Sequence, residues 1–194
     1  MGQSLSWLAI ENAKADLTRA RLGLEFTKDA AELGEDPLVG CALPAGWYVV
    51  AARGCDHELI SDAILRAASA DGTAVACSIE EHVMFSSASA WTGGRQRWRV
   101  SHTGDTDIRS LAVTGEPPAE LSAIRDEYVA KQNAERADDR LGVDWFFEIP
   151  LLLAKGIVGF KHDEELPAGA EHGFVRLVEG GPLASGNRGR FLIH

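Results

Sequence analysis

Four short clusters bring imidazole and carboxylate groups close together in the sequence. Glu80-Glu81-His82 follows an apolar run. If His82 shares an open sheet face with Ser86 and Arg99, a general base, a hydroxyl and an anion-binding guanidinium would meet, the minimum parts for acyl or phosphoryl transfer. Asp56-His57 stands where an apolar strand turns into a helix, the kind of position at which α/β proteins often place ligand sites. His102 with Asp105 and Asp107, and the run His162-Asp163-Glu164-Glu165, carry oxygen and imidazole donors of the kind a divalent ion accepts.

Each cluster also has a plainer reading. Asp is a common helix cap, and a half-exposed antiparallel sheet carries polar residues on alternate positions whatever its function. Neither metal-type cluster has calcium-loop spacing, and H-E-x-x-H is absent, so no metal is expected. G-x-S-x-G, G-x-x-x-x-G-K-[ST] and G-x-G-x-x-G are also absent, which counts against the common hydrolase, P-loop and dinucleotide-binding classes and leaves no cofactor expected. The candidate catalytic set is therefore His57, Glu80 and His82.

The elements that must position these residues are legible from apolar period and turn chemistry. The longest self-consistent stretch is 73–102, read as a twisted hairpin about Gly93-Gly94, because both turn positions accept the positive φ that a two-residue hairpin turn demands. Direct counting from that turn places Phe85 opposite His102 and Trp91 opposite Gln96. Val83, Phe85, Trp91, Trp98 and Val100 then fall on a core face, and Ser86, Ala88, Arg97 and Arg99 on a polar one. Glu80-Glu81-His82 reads as a turn or bulge before this hairpin. Ser6 to Ile10 and Gly46 to Ala52 read as strands, the latter buried on both faces. Helices are expected over Ala13 to Leu22, after an Asp56 cap, and after Pro117-Pro118. Asp144 to Glu148 reads as a strand, Leu151 begins a further helix, and Phe174 to Leu177 is a last strand. Thr27 to Leu43 is a long acidic loop that either holds a helix around Lys28 to Leu33 or serves a function. The fold class expected is α+β: a mainly antiparallel twisted sheet with helices packed on one face. One domain is expected over 1–179 and a flexible tail over 180–194.

The chain has 194 residues, a formal net charge of −10 and 45% hydrophobic content. The charge disfavours nucleic acid, whose phosphates would repel it, and leaves a basic protein partner as the complementary alternative. Cys41, Cys55 and Cys77 form neither a C-x-x-C pair nor an even set, which points to a reducing compartment. No apolar stretch reaches membrane-span length and no secretory pattern opens the chain, so a cytoplasmic location without membrane contact is expected. Arginine outnumbers lysine, a compositional hint of a GC-rich bacterial source.

Two functional expectations follow. The leading one is a non-catalytic interaction module, an inhibitor or immunity-type binder whose acidic face, drawn from Glu32, Glu35, Asp36, Glu81, Asp163 and Glu164, engages another protein. The alternative is a small-molecule-binding or hydrolytic domain in which His57, Glu80 and His82 converge around a pocket.

Overall fold

The computed structural model describes residues 2–11, 22–105, 107–137 and 142–180. Its strands are β1 (Ser4–Glu11), β2 (Leu24–Ala30), β3 (Leu38–Ala42), β4 (Trp47–Arg53), β5 (Thr73–Glu80), β6 (Phe85–Thr92), β7 (Arg95–Thr103), β8 (Ala112–Gly115) and β9 (Glu171–Glu179). Its helices are α1 (Asp62–Ala68), α2 (Glu120–Ala137) and α3 (Glu148–Val158). The nine strands form one sheet in the order β2-β9-β3-β4-β1-β5-β6-β7-β8, and every neighbouring pair is antiparallel. The α+β architecture with a large antiparallel sheet is the one the sequence implies.

The central strands read as continuous apolar runs because both of their faces are covered. Six consecutive residues are buried in each of β1, β4 and β5. On one face Trp7, Trp47, Val75, Cys77, Trp98 and Val100 pack under α3 and Phe160. Trp7 lies between Ala51 and Cys77 in the ladder, and these small neighbours leave room for its indole, which meets Phe160 edge-on at 5.4 Å. The two long helices belong to this face, with α2 laid outside α3. The short α1 covers the opposite face, where Leu59, Leu65 and Ala68 pack on Leu8, Ala74, Ala76 and Trp91. Helical cover therefore extends to both faces.

The hairpin turn is as expected, with Gly93 and Gly94 at φ 59° and 72° and Trp91 opposite Gln96. Beyond that pair a bulge shifts the register by one, so Ala90 faces Trp98, Ser86 faces His102 and Phe85 faces Thr103. An extra residue in one strand reverses the face of everything after it. Ala88 and Ala90 thus join Trp98 and Val100 in the core beneath α3, Trp91 turns to the α1 face, and Val83 is exposed.

Other expectations are corrected by local hydrogen bonding. Lys28 to Ala30 continue β2, so of the two alternatives for the acidic loop the helix around Lys28 to Leu33 is absent, and a tight turn leads to β3. Asp56 is not a cap: His57 Nδ1 accepts from the Leu59 amide to start a 3₁₀ turn, and Ser61 caps α1. Asp144 to Glu148 is not a strand, because the Asp144 carboxylate accepts from the amides of Phe146 and Phe147 and winds that segment into a 3₁₀ turn leading into α3. The helix expected over Ala13 to Leu22, but for Leu22, and the tail from 181 to 194 lie outside the described residues.

Gly40 sits where β3 meets both β4 and β9, and a Cβ there would lie 2.9 Å from Leu177 Cδ1 and closer still to Tyr48 Oη. Gly40→Ala should therefore cost about 1–3 kcal/mol through overpacking. Urea unfolding checks this; an unchanged midpoint would mean that the strands part freely at this point.

Candidate functional site

Antiparallel pairing collects strand ends. Ser4 is opposite Glu80 and Leu5 is opposite Arg53, so the start of β1, the end of β4 and the end of β5 lie together. The turn before β3 reaches the same end of the sheet, because Leu38 pairs with Ala52. The segment after α3 joins them through His162, whose Nε2 lies 3.3 Å from Glu81 Oε1. Carboxylates from four stretches of chain thus gather at one end of the sheet.

Glu80 is the organising residue of this end. It caps the 3₁₀ turn Glu81–Val83, accepting from the His82 amide at 3.3 Å, and its Oε1 lies 2.6 Å from His82 Nδ1. The Ser4 hydroxyl and the His82 ring hold the Glu80 carboxyl below its ordinary value, so it is ionised and accepts the Nδ1 proton. His82 Nε2 is then the free nitrogen of a ring whose side chain is 62% exposed. His82 borders a depression of about 750 Å³ together with Gln3, Leu33, Glu35, Arg53 and Gly54.

Glu81 ties the cluster down. Its Oε2 accepts from the Gln3 amide at 2.8 Å and its Oε1 faces the buried His162 ring. Lys161, also buried, reaches Glu148 at 3.0 Å and Asp163 at 2.6 Å. Burial works against both charges of the Lys161–Asp163 pair. The pairing outweighs it, raising Lys161 and lowering Asp163 relative to their ordinary values. Glu164 pairs with Lys155 at 2.6 Å. Asp36 accepts from the Glu32 amide at 2.9 Å, which together with Arg176 keeps its carboxyl below the usual range. Glu32 and Glu35 point to solvent.

The structure brings Glu80 and His82 together and places His57 elsewhere, in a groove of about 520 Å³ shared with Leu38, Leu59 and Leu177. Ser86 and Arg99 do not join His82. Ser86 is fully buried on the α3 side, where its hydroxyl donates to Phe147 O at 2.7 Å, and Arg99 is exposed on the other face. His102 is fully buried, with Nε2 at 2.8 Å from Asp144 Oδ2 and Nδ1 at 2.6 Å from Ser110 O, so it braces the interior rather than an exposed site with Asp105 and Asp107. Among the described residues no group of three or more His, Cys, Asp or Glu is placed to hold a metal ion.

Sequence reasoning missed Ser4 and Asp144. Ser4 was one serine among several, and its role depends on the β1–β5 register. Asp144 reads as part of a strand, although an Asp before an aromatic run also fits a capping position.

The class defined here is an α+β protein on a large antiparallel sheet, nine strands of it among the described residues, with a carboxylate-rich end. No protein-family model, curated protein or solved structure matches the chain. No helix among the described residues is long and apolar enough to cross a membrane.

Proposed function

We propose that this protein is a non-catalytic interaction module that presents the carboxylate-rich end of its sheet to a basic surface on another protein, as an inhibitor that occludes a basic active site would. The observation that carries this reading is how charge is distributed at that end. Its cations Lys155, Lys161 and Arg176 are taken up by Glu164, Asp163 with Glu148, and Asp36. Exposed carboxylates at Glu32, Glu35, Asp56 and Glu165 remain beside them, with Arg53 exposed among them. A field of one sign steers a complementary partner and raises its association rate, an effect that salt screens. The test is capture from native lysate at low and high salt, followed by association kinetics with the captured protein. The expected result is a stoichiometric partner whose association slows by at least about tenfold as salt rises. A partner whose on-rate ignores salt would remove the reading.

A second reading rests on the Glu80–His82 dyad. Glu80 fixes the ring so that Nε2 faces outward beside the 750 Å³ depression, the arrangement of a general base for water attacking a small bound molecule. A ligand screen by NMR checks it: the reading requires ligands that shift His82 and lose affinity in His82→Gln, and hits confined to other surfaces would refute it.

A further inference from the structure

Four arginines gather around the strand at the far side of the sheet. β8 is an edge strand of four residues, all exposed, and among the described residues it pairs only with β7. Two hydrogen bonds fix which of its backbone groups are free. Gly104 N donates to Met84 O, and from that pair the antiparallel alternation aims the amides and carbonyls of His102, Val100 and Trp98 at β6, and those of Ser101 and Arg99 at β8. Glu116 N donating to Arg97 O agrees with that parity. Ala112 and Thr114 therefore spend their backbone groups on Ser101 and Arg99, and the Val113 amide and carbonyl point outward, unpaired, from the edge.

The side chains around this edge sort by face. Val113 lies on the α3 side opposite Val100 and is 44% exposed. It borders a groove of about 540 Å³ whose apolar lining includes Leu111, Pro117 and Leu121 and whose charged residues are Arg109 and Arg125. On the other face are the short side chains of Ala112 and Thr114, with the exposed Arg99 opposite Thr114 and Arg97 beyond. None of these four arginines takes part in an ion pair with a described residue. In a chain of net charge −10, a free strand edge with guanidinium groups on both faces stands out, although the exposed Glu116 and Glu120 follow it in the chain.

We propose that β8 is a docking edge for an extended acidic segment of a partner protein, which adds to the sheet as a new edge strand beside Val113. Main-chain hydrogen bonds would supply the affinity, and alternate side chains the specificity. Residues on the α3 side would be apolar, entering the groove beside Val113 and Leu121. Those on the other side would be Asp or Glu, meeting Arg97 and Arg99. This surface lies at the β8 edge and not at the carboxylate-rich end, so it stands or falls separately from the proposed function.

The experiment uses the full chain and a short fluorescein-labelled peptide alternating valine and glutamate, read by anisotropy. Saturable, salt-sensitive binding is expected, with none for the same peptide carrying lysine in place of glutamate. Val113→Pro removes the outward amide without touching the ladder to β7, a substitution edge strands accept, and should weaken binding by about tenfold or more. Arg97→Gln with Arg99→Gln should weaken it at low salt and much less at high salt. If Val113→Pro fails to fold, the same peptide N-methylated on alternate amides replaces it and should not bind. The proposal is overturned by no saturable binding, by equal binding of the lysine peptide, or by binding that ignores both the proline and the N-methyl groups. Self-association by light scattering that is abolished in Val113→Pro would assign the edge to a second copy and also overturn it.

Discussion

Asp144→Ala is expected to lower the unfolding free energy by about 3–5 kcal/mol, the cost of leaving a buried charge without its partner. His102 is fully buried and both ring nitrogens face acceptors, Asp144 Oδ2 at 2.8 Å and Ser110 O at 2.6 Å. A neutral imidazole can donate from one nitrogen only, so satisfying both requires the imidazolium. Burial alone would push the His102 proton off. Asp144, the Ser110 carbonyl and the more distant Asp107 outweigh it and raise the ring above its ordinary 6.5. Removing Asp144 also frees the Phe146 and Phe147 amides that its other oxygen accepts. Asp144→Asn, which keeps an accepting oxygen for those amides but not the charge, should fall between wild type and Ala.

The same pair fixes a pH dependence of stability. Because the folded value of His102 is raised, its contribution is complete below the unfolded value and is lost as pH rises through the folded one. Urea unfolding of wild type should therefore show stability falling on the alkaline side of about 6.5, and His102→Gln should lack that component. Identical slopes in the two proteins would mean that His102 is neutral throughout and one of its ring nitrogens is unsatisfied.

How far the sequence carries depends on how local each signal is. The Gly93-Gly94 turn and the β4 strand rest on period or turn chemistry within a few residues and stand as expected. The face of Trp91 did not follow, since a bulge at Gln96 and Arg97 is not written in hydrophobic period and a single extra residue inverts a strand. Asp144 to Glu148 misled for a related reason: aromatic residues suit strands and buried 3₁₀ turns alike, and what decides is a carboxylate capping two amides while Gln132 holds Val143 O and Trp145 N at 3.0 Å. At the candidate site the types were legible and the company was not. Glu80, Glu81 and His82 are neighbours in sequence, but bringing His162 to Glu81 required a contact across eighty-one residues, and separating His57 required a sheet face.

Glu32→Lys combined with Glu35→Lys should slow association with the captured partner by about 10–100-fold at low salt, with a much smaller change in the dissociation rate. Both side chains are exposed in the turn between β2 and β3, so the exchange should leave the fold unchanged. Asp36, in the same turn, is unsuitable: it accepts from the Glu32 amide and pairs with Arg176 at 2.8 Å, so its loss would disturb the turn as well as the field. A matched control separates local field from net charge. Glu116→Lys with Glu120→Lys changes the total by the same amount at the β8 side of the sheet, where both residues are exposed. Steering falls off over roughly a Debye length, about 8–10 Å at physiological ionic strength, so this control should slow association far less. At high salt all three proteins should converge on one rate. If the two double variants slow association equally, the partner responds to total charge, and the carboxylate-rich end is not the docking surface. If neither does, electrostatics does not guide the encounter, and the Glu80–His82 depression becomes the surface to pursue.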